Sequence, residues 1–302
     1  MKNRIALLTI FLLFFGSGLQ AAEKEAISIK FVTAAYEGDQ GKSLLQPEGV
    51  ACSEDGFWVA DTGNSRLVHF TQQNRSLSPD TEIKMKNTSP TVVQVNSKGE
   101  IHVLDAREQR IALLKNNGKS KGYLTPENIP EDRDITPKSF RIDGEDNIYI
   151  LDLLSSRVLV LGPEGEYRRE IAFPEEYGFF SDLALDSRGT IFLLDSVKGE
   201  IYTAAVDGDR FSLLTSKLKE YVNFPTSLAV DSRGGKIYVL DQYGSGLVLI
   251  DQDGSFLGRR LSRGWKKSQL YYPAQLCLTT DNQLLIADRN NNRVQLFTTI
   301  KD

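Results

Sequence analysis

The chain repeats one pattern six times, and this repeat limits the folds that it can adopt. The first copy spans residues 47–70 and has the sequence PEGVACSEDGFWVADTGNSRLVHF. Every copy places an Asp at the same position, directly after a short apolar run. These residues are Asp61, Asp105, Asp152, Asp195, Asp241 and Asp288, at intervals of 44, 47, 43, 46 and 47 residues. A fixed period of this size indicates an architecture built from repeated units.

Each repeat consists of short apolar segments separated by turn residues. In the first copy, the segments GVAC, FWVAD and RLVHF are separated by Gly56 and by the run TGNS. Such segments predict antiparallel strands joined by tight turns. Four strands and their turns need roughly 40 to 45 residues, the length of one blade of a β-propeller. The sequence therefore predicts an all-β fold, a six-bladed β-propeller of four-stranded antiparallel blades with repeats that start near residues 47, 90, 137, 180, 225 and 273.

The two ends of the chain predict how the ring of blades closes. The last repeat ends after its third strand, near residues 297–300, and lacks the fourth strand that residues 255–261 supply to the preceding repeat. Residues 27–33, ISIKFVT, precede the first repeat and have the length and alternation of a strand. We expect this N-terminal strand to complete the last blade, because closing the ring protects sheet edges that would otherwise template aggregation.

The first 22 residues have the pattern of a secretory signal peptide. Lys2 and Arg4 precede an apolar run at residues 5–15, and small residues at Ala21 and Ala22 offer a cleavage site. An uncleaved anchor is the alternative, but this run is too short to cross about 30 Å of hydrocarbon as a helix. The sequence thus predicts a signal peptide at residues 1–22, a single domain at residues 23–302, and export to a periplasm or out of the cell.

Charge narrows the choice of partners. Cleavage after residue 22 removes two cations and no acid, so 34 Lys and Arg remain against 40 Asp and Glu. A net charge near −6 argues against a nucleic-acid partner, because phosphate contacts require concentrated positive charge. The same balance disfavours an anionic membrane surface.

Two of the copies carry a family resemblance. The segments PEGVA and VADTGNSRL in the first copy and LIADRNNNRVQLF in the last resemble NHL repeats, which form six-bladed β-propellers. The four middle copies keep the apolar strand and the Asp but replace parts of the turn, as at residues 197–200. The resemblance covers about residues 27–298 and implies the fold more strongly than a function, because propellers serve many roles.

The repeated Asp is expected to stabilise the fold rather than to take part in chemistry, because a functional site usually breaks the symmetry of a repeat. A carboxylate at the end of a strand can accept hydrogen bonds from backbone N–H groups of the following turn. Arg66 and Arg293, each just after such a turn, are expected to pair with an acid or to cover a blade edge.

Cys52 and Cys277, the two cysteines of the chain, lie on equivalent inner strands of the first and last repeats. Their positions differ by one residue, so they lie on opposite faces of those strands and point either toward one another across the closing seam or directly away. A disulfide requires their Cα atoms to lie within about 7 Å in an oxidising compartment. We favour two buried free thiols, with the disulfide as the alternative.

The sequence offers few residues for catalysis near the propeller axis. His69 falls on a third strand and His102 on a second strand, away from the inner strands that line the axis. Lactonase-like propellers bind calcium through Glu, Asn and Asp oxygens instead. Glu48 and Asp182, at the start of inner strands, are therefore the candidates for a metal site, and the alternative is that they are solvated acids at the mouth of the axis.

The loops that lead into the blades break the sixfold pattern. Those before the fourth, fifth and sixth repeats contain FPEEYGFF, LKEYVNFP and RGWKKSQLYYP, whereas those before the second and third contain no aromatic residue. We expect four aromatic side chains to be exposed and, with Lys266, to bind a protein, peptide or glycan. These four are Tyr177, Tyr221, Trp265 and Tyr271. Phe179, Phe224 and Tyr272 are expected to pack between blades instead.

These observations favour an exported, rigid binding or scaffolding module without catalytic activity. We expect a monomer without a cofactor that holds its ligand on the face formed by the leading loops. The alternative is a calcium-dependent, lactonase-like hydrolase or lyase with its metal on the propeller axis. RNA binding is disfavoured by export and by the acidic balance.

Overall fold

The structure, a computed structural model, describes residues 27–130, 133–231 and 235–301. The predicted signal peptide at residues 1–22 lies outside this range. Among the described residues, no helix has both the length and the apolar character needed to cross a membrane.

Five of the six blades are formed from consecutive strands. The first contains Gly49–Ser53 (β2), Gly56–Asp61 (β3), Arg66–Gln73 (β4) and Ser76–Lys84 (β5). The second contains Pro90–Val95 (β6), Ile101–Asp105 (β7), Arg110–Leu114 (β8) and Ser120–Tyr123 (β9). The third contains Pro137–Ile142 (β10), Ile148–Asp152 (β11), Arg157–Leu161 (β12) and Tyr167–Ala172 (β13). Each is a four-stranded antiparallel sheet in sequence order.

The fourth and fifth blades follow the same plan. The fourth contains Phe180–Leu185 (β14), Ile191–Asp195 (β15), Glu200–Ala204 (β16) and Ser212–Thr215 (β17). The fifth contains Pro225–Val230 (β18), Ile237–Asp241 (β19), Gly246–Ile250 (β20) and Phe256–Arg260 (β21). Short 3-10 helices occur at Thr62–Asn64, Leu218–Glu220 and Arg289–Asn291. Between the fifth and sixth blades, Ser262–Arg263 (β22) pairs in parallel with Gln269–Leu270 (β23).

The sixth blade combines the two ends of the chain. It contains Leu276–Leu278 (β24), Gln283–Asp288 (β25), Arg293–Lys301 (β26) and, as its outer strand, Ile27–Ala35 (β1). Strand β1 runs antiparallel to β26, with Ile27 opposite Lys301 and Ala35 opposite Val294. The predicted closure of the ring by the N-terminal strand, and with it the all-β six-bladed fold, is confirmed.

The apolar core lies between blades rather than inside any one of them. Six clusters of buried apolar side chains are each shared by two neighbouring blades. The cluster between the first and last blades contains Val50 and Phe57 from one side and Leu285 and Val294 from the other. Because every sheet is covered on both faces, the second strands β7, β11, β15 and β19 bury all of their residues, and β3 and β25 bury all but the first. This explains why the repeats contain near-continuous apolar runs instead of a clean alternation.

The repeated Asp attaches each blade to the loop that precedes it, here called its leading loop. All six Asp residues are fully buried. Asp61 Oδ1 accepts a hydrogen bond from Leu45 N at 2.7 Å, and Asp152 Oδ1 accepts one from Thr136 N at 2.9 Å. The prediction of a structural role is confirmed, and the leading loop is a hydrogen-bond partner of the Asp in addition to the expected following turn.

Backbone hydrogen bonds repeat this attachment around the ring. The N–H groups that follow the Asp residues bond to carbonyls of the leading loops, as Ala106 N does to Ser89 O at 2.9 Å and Gln242 N to Phe224 O at 3.0 Å. The leading loops and the turns between second and third strands therefore share one face of the ring, as expected. This surface is the leading-loop face.

Candidate functional site

A cavity of about 470 Å³ lies among the inner strands and the turns of the leading-loop face. Its wall carries both charges, hydroxyl groups and amides, and includes two aromatic rings. The lining residues include Glu48, Thr91, Gln109, Lys138, Phe179, Asp182, Phe224, Gln242 and Arg289. This axial cavity contains both candidates for a metal site that the sequence indicated.

The side chain of Asp182 accepts four hydrogen bonds from protein donors. Ser139 Oγ donates to its Oδ1 at 2.6 Å, and Ser227 Oγ donates to its Oδ2 at 2.8 Å. Arg141 Nη2 lies 2.8 Å from the same Oδ2, and Leu228 N donates to it at 3.2 Å. These donors come from the third and fifth blades, so Asp182 joins three blades around the axis.

Glu48 is also paired, because Arg289 Nε lies 3.2 Å from its Oε1. Calcium requires several oxygen ligands with free lone pairs, and both candidate acids already face guanidinium groups. Among the described residues, no group of three or more His, Cys, Asp or Glu side chains could hold a metal ion. The residues of the axial cavity therefore do not fit a calcium site.

Removal of the Asp182 carboxylate is expected to destabilise the ring. In an Asp182→Ala variant, Arg141 and the two serines lose a shared partner in a buried position, so the free energy of unfolding should fall by about 2 to 4 kcal/mol. Chemical denaturation of the purified variant measures this change.

Asp209→Ala is the matched control for that prediction. Asp209 and its partner Arg210 are exposed, with relative side-chain areas of 92% and 88%, so this substitution should change stability by less than about 0.5 kcal/mol. Equal unfolding midpoints for the two variants would contradict the structural role of Asp182. A calcium-dependent rise in stability that Asp182→Ala abolishes would show that the carboxylate binds metal after all.

The four aromatic residues that we expected to be exposed divide into two pairs. Trp265 is 80% exposed and Tyr271 is 40% exposed. Tyr177 is half-buried, and its ring stacks on Phe180 with a centroid distance of 5.1 Å. Tyr221 is half-buried against Phe256, at 3.7 Å. The expected exposure is wrong for Tyr177 and Tyr221, because each has a neighbouring aromatic ring on which to pack.

Of the three residues expected between blades, Phe179 and Phe224 differ from the prediction, whereas Tyr272 packs against the fifth blade. Phe179 and Phe224 are half-buried and line the axial cavity. Tyr272 is half-buried and has a positive φ of 48°. Its ring contacts those of Tyr243 and Tyr271, with centroids at 5.8 Å and 5.1 Å.

A continuous row of aromatic rings runs outward from the axial cavity. Phe224 stacks on Tyr243 at 4.9 Å, and Tyr243 leads through Tyr272 to Tyr271. Tyr243 is 48% exposed. These four residues form the aromatic row, which lies on the leading-loop face at the fifth and sixth blades. Tyr243 was missed from the sequence, because it follows the repeated Asp in a turn rather than in a leading loop.

The leading loop of the sixth blade, at residues 261–272, is held in place by two buried side chains. Arg293 is 2% exposed, and its guanidinium donates to the carbonyls of Trp265, Lys266 and Gln269 at 2.8 to 3.0 Å. Gln295 is fully buried and bonds to Gln269 O at 2.7 Å, while it accepts from Ser268 N at 3.1 Å. Lys266, which the sequence predicted to bind a ligand, is exposed on this loop.

Asp288 neutralises the charge of Arg293, which allows this guanidinium to be buried beneath the leading loop. Arg293 Nε donates to Asp288 Oδ2 at 2.7 Å. Burial raises the pKa of the Asp288 carboxyl above its ordinary value, and hydrogen bonds from Asn291, Tyr271 N and Arg293 oppose the rise. In the first blade, Arg66 pairs with Asp61 in the same way at 2.6 Å, so the expected pairing of both arginines is confirmed.

A sequence signal for this loop exists in the third strands. The position of Gln295 is occupied by Val68 in the first blade, Leu159 in the third and Val248 in the fifth. A polar residue at a position that other blades fill with an apolar one marks a local exception. The structure gives the reason for the exception: the Nε2 and Oε1 atoms of Gln295 both form hydrogen bonds with the backbone of the leading loop.

The two histidines lie away from the axial cavity. His69 on β4 is buried, and its Nδ1 lies 2.7 Å from Asp80 Oδ1. His102 on β7 is also buried, and burial lowers its pKa below the ordinary value. The strand positions expected for both residues are confirmed.

Cys52 and Cys277 form a disulfide across the seam between the first and last blades. Their Cα atoms are 5.8 Å apart, and the two residues are separated by 225 positions in sequence. The favoured interpretation of two free thiols is therefore wrong. Neighbouring blades face one another, so opposite faces of equivalent strands point into the same seam.

These features define the class of protein. Six antiparallel sheets around an axial cavity, with the first strand completing the last sheet, make the chain a six-bladed β-propeller. The family model described as NHL repeat matches residues 44–70 and 270–297. The chain is accordingly a six-bladed β-propeller that contains an NHL repeat near each of its two ends. Comparison with curated protein sequences finds no match.

Solved structures with a similar fold have different activities. A gluconolactonase from Xanthomonas campestris is 13% identical, with a TM-score of 0.67 over 91% of this chain and 90% of that one. Virginiamycin B lyase from Staphylococcus aureus is 12% identical, with a TM-score of 0.61 over 91% and 100%. A chain of a nidogen/laminin complex is 17% identical, with a TM-score of 0.62 over 82% and 97%. At these identities the likeness shows the fold alone.

Proposed function

We propose that this protein is an exported, non-catalytic binding module that holds a macromolecular partner on its leading-loop face. The observation that carries the proposal is the sixth leading loop. Two buried side chains, Arg293 and Gln295, hold its backbone in one conformation, while Trp265 at its tip is left 80% exposed. An exposed Trp on a rigid loop is what a preorganised recognition surface requires.

Other features support the same role. Binding costs less when the loop is already ordered, because less conformational entropy is lost. The aromatic row provides a further rigid surface beside Trp265. The disulfide between Cys52 and Cys277 is consistent with an oxidising, extracytoplasmic compartment. A similar fold occurs in a nidogen/laminin complex, which is a precedent for a propeller in a protein assembly.

Truncation of the two most exposed aromatic residues of the loop should abolish binding. We expect a Trp265→Ala, Tyr271→Ala double variant to lose little stability, since Trp265 is 80% exposed and Tyr271 is 40% exposed, and to lose the species that the wild-type protein captures from a cell-envelope extract. Hot-spot truncations of this kind cost about 2 kcal/mol or more each. Quantitative mass spectrometry of the captured species measures the loss.

Leu154→Ala is the control, because Leu154 is also exposed, at 61%, but lies in the turn between the second and third strands of the third blade. A second variant, Gln295→Val, restores the residue type of the other blades and releases the loop without removing an aromatic contact. We expect it to weaken capture and to speed hydrogen exchange at residues 264–270. Equal capture by the wild type and the aromatic double variant would refute the proposal.

The alternative is a calcium-dependent hydrolase or lyase that uses the axial cavity. The cavity and the fold shared with a gluconolactonase and a lyase favour it, whereas the pairing of Glu48 with Arg289 and of Asp182 with Arg141 counts against it. Elemental analysis of the purified protein, with a thermal melt in chelator, separates the two. Stoichiometric calcium and a large loss of stability on chelation would favour the enzyme.

A further inference from the structure

The positive charge of this acidic chain is concentrated around the sixth leading loop. Residues 254–280 contain five Lys and Arg and no Asp or Glu. The five are Arg259, Arg260, Arg263, Lys266 and Lys267. Residues 23–302 have a net charge near −6, but the charge is unevenly distributed and this segment is positive.

Arg259, one of these five cations, forms an ion pair within the fifth blade. Arg259 Nη1 lies 2.9 Å from Asp241 Oδ2, where Gly246 leaves room for its guanidinium in place of the arginine that begins other third strands. The Arg259 guanidinium occupies the space of that arginine, because a Cβ on Gly246 would lie only 2.6 Å from Arg259 Nη2. The charge of Arg259 is therefore neutralised within the blade and is not available to a partner.

The other four cations make no ion pair with any acid among the described residues. Arg260 Nε donates to Ile27 O at 3.0 Å, and an Arg263 Nη2 hydrogen bond goes to Tyr243 O. Lys267 Nζ lies 5.8 Å from the ring centroid of Phe31. Lys266, Lys267 and Arg263 are exposed. Their charges are thus available to a partner.

These cations surround the exposed aromatic residues. Trp265 follows Arg263 by two positions and directly precedes the two lysines. The Arg263 guanidinium lies 5.8 Å from the ring centroid of Tyr272, so it joins the loop to the aromatic row. Arg293 and Gln295 fix the backbone between them. The surface formed by Arg260, Arg263, Trp265, Lys266, Lys267 and Tyr271 is the cationic loop patch.

We infer that the cationic loop patch docks an acidic polypeptide segment. This inference rests on the proposed function of the loop and names the chemistry of its partner. Trp, Tyr and Arg are the residues that dominate the energetics of protein–protein interfaces, and complementary charge speeds encounter and sets specificity. Carboxylates of the partner would meet the exposed cations Arg263, Lys266 and Lys267, while an apolar or aromatic side chain beside them would pack on Trp265.

A lipid surface fits this patch less well. Membrane-surface elements bury a face of several apolar side chains, but Leu270 is fully buried in the protein and Leu261 is half-buried, which leaves Trp265 as the large apolar side chain at the loop tip. The net negative charge of the whole domain would also oppose approach to an anionic bilayer.

The fluorescence of Trp265 provides a direct test. The chain has two tryptophans, and Trp58 is 6% exposed, so a ligand at the loop should change the emission of Trp265. The probe is a short synthetic peptide in which Glu and Asp alternate with Tyr and Leu, and its counterpart has Gln and Asn in place of the acids. We expect saturable binding of the acidic peptide that weakens as salt is added, and no binding of the amide peptide.

Two sets of charge variants make the test specific. Replacement of Arg263, Lys266 and Lys267 by Gln should weaken binding by about tenfold or more, since each rim charge contributes modestly. The matched control replaces Lys98, Lys115 and Lys119 by Gln, which are exposed on the second blade, and should bind as the wild type does. A Trp265→Phe variant should lose the emission change.

Three results would overturn the inference. The first is equal affinity of the two triple variants for the acidic peptide. The second is an emission change with phosphatidylglycerol vesicles or polygalacturonate but not with the acidic peptide. The third is an envelope species that is lost from the Trp265→Ala, Tyr271→Ala variant but retained by the charge variant, which would refute the acidic partner while the proposed function stands.

Discussion

A Cys52→Ser, Cys277→Ser double variant is expected to lose about 3 to 5 kcal/mol of its free energy of unfolding. The disulfide closes a loop of 225 residues between the first and last blades, and cross-links that span loops of this length restrict the unfolded chain most strongly in the chain-entropy description. The bond also holds together the seam at which the two ends of the chain meet. Differential scanning calorimetry and urea denaturation, each with and without reductant, measure the loss.

The wild-type protein provides the control for this experiment. Its two cysteines are both in the disulfide, so a reductant should lower the stability of the wild type to that of the double variant and leave the variant unchanged. An unfolding midpoint that neither the reductant nor the substitutions alter would show that the seam is held without the disulfide.

Deletion of β1, residues 27–35, is expected to have an effect at least as large. Its nine residues form the outer strand of the sixth blade and pair with β26 from Val294 to Lys301. Without them, the sixth blade exposes an unpaired edge and part of the apolar cluster that contains Ile27. Because a domain has a margin of only about 5 to 15 kcal/mol, we expect the truncated protein to aggregate or to unfold without a cooperative transition.

A peptide can test whether strand pairing is the cause. A synthetic peptide with the sequence of residues 27–35 should restore a cooperative melt to the truncated protein, because an added strand can complete an exposed sheet edge. Lys30→Ala is the control within the strand, since Lys30 is exposed, and should melt as the wild type does. A truncated protein that melts like the full chain would disprove the closure.

The disulfide and the pairing of β1 with β26 close the ring at different distances from the propeller axis. The disulfide joins β2 to β24, the inner strands of the first and last blades, whereas β1 and β26 form the outer part of the last blade. The deletion should therefore be more damaging in the Cys52→Ser, Cys277→Ser background than in the wild type, because the disulfide alone keeps the blades near each other once β1 is absent.

The site was less accessible to prediction than the fold. Trp265 and Tyr271 were recognised because aromatic residues cluster in the leading loop of the sixth repeat, and both are exposed. Tyr177 and Tyr221 have the same sequence context, but the rings of Phe180 and Phe256 cover them. Which aromatic residue finds a neighbour depends on side chains elsewhere in the fold, and no local pattern reports this.

The sequence by itself determined the strands, the turns, the six repeats and the strand that closes the ring. These follow from local rules, because short apolar runs and the turn residues between them act within a few positions along the chain. Six copies repeat the same pattern. Only the tertiary structure decided that Cys52 and Cys277 share a seam, that Asp182 joins three blades, and that Arg293 and Gln295 hold the Trp265 loop. Those contacts join residues that become neighbours only after the blades have packed, so their chemistry is set by geometry rather than by sequence pattern.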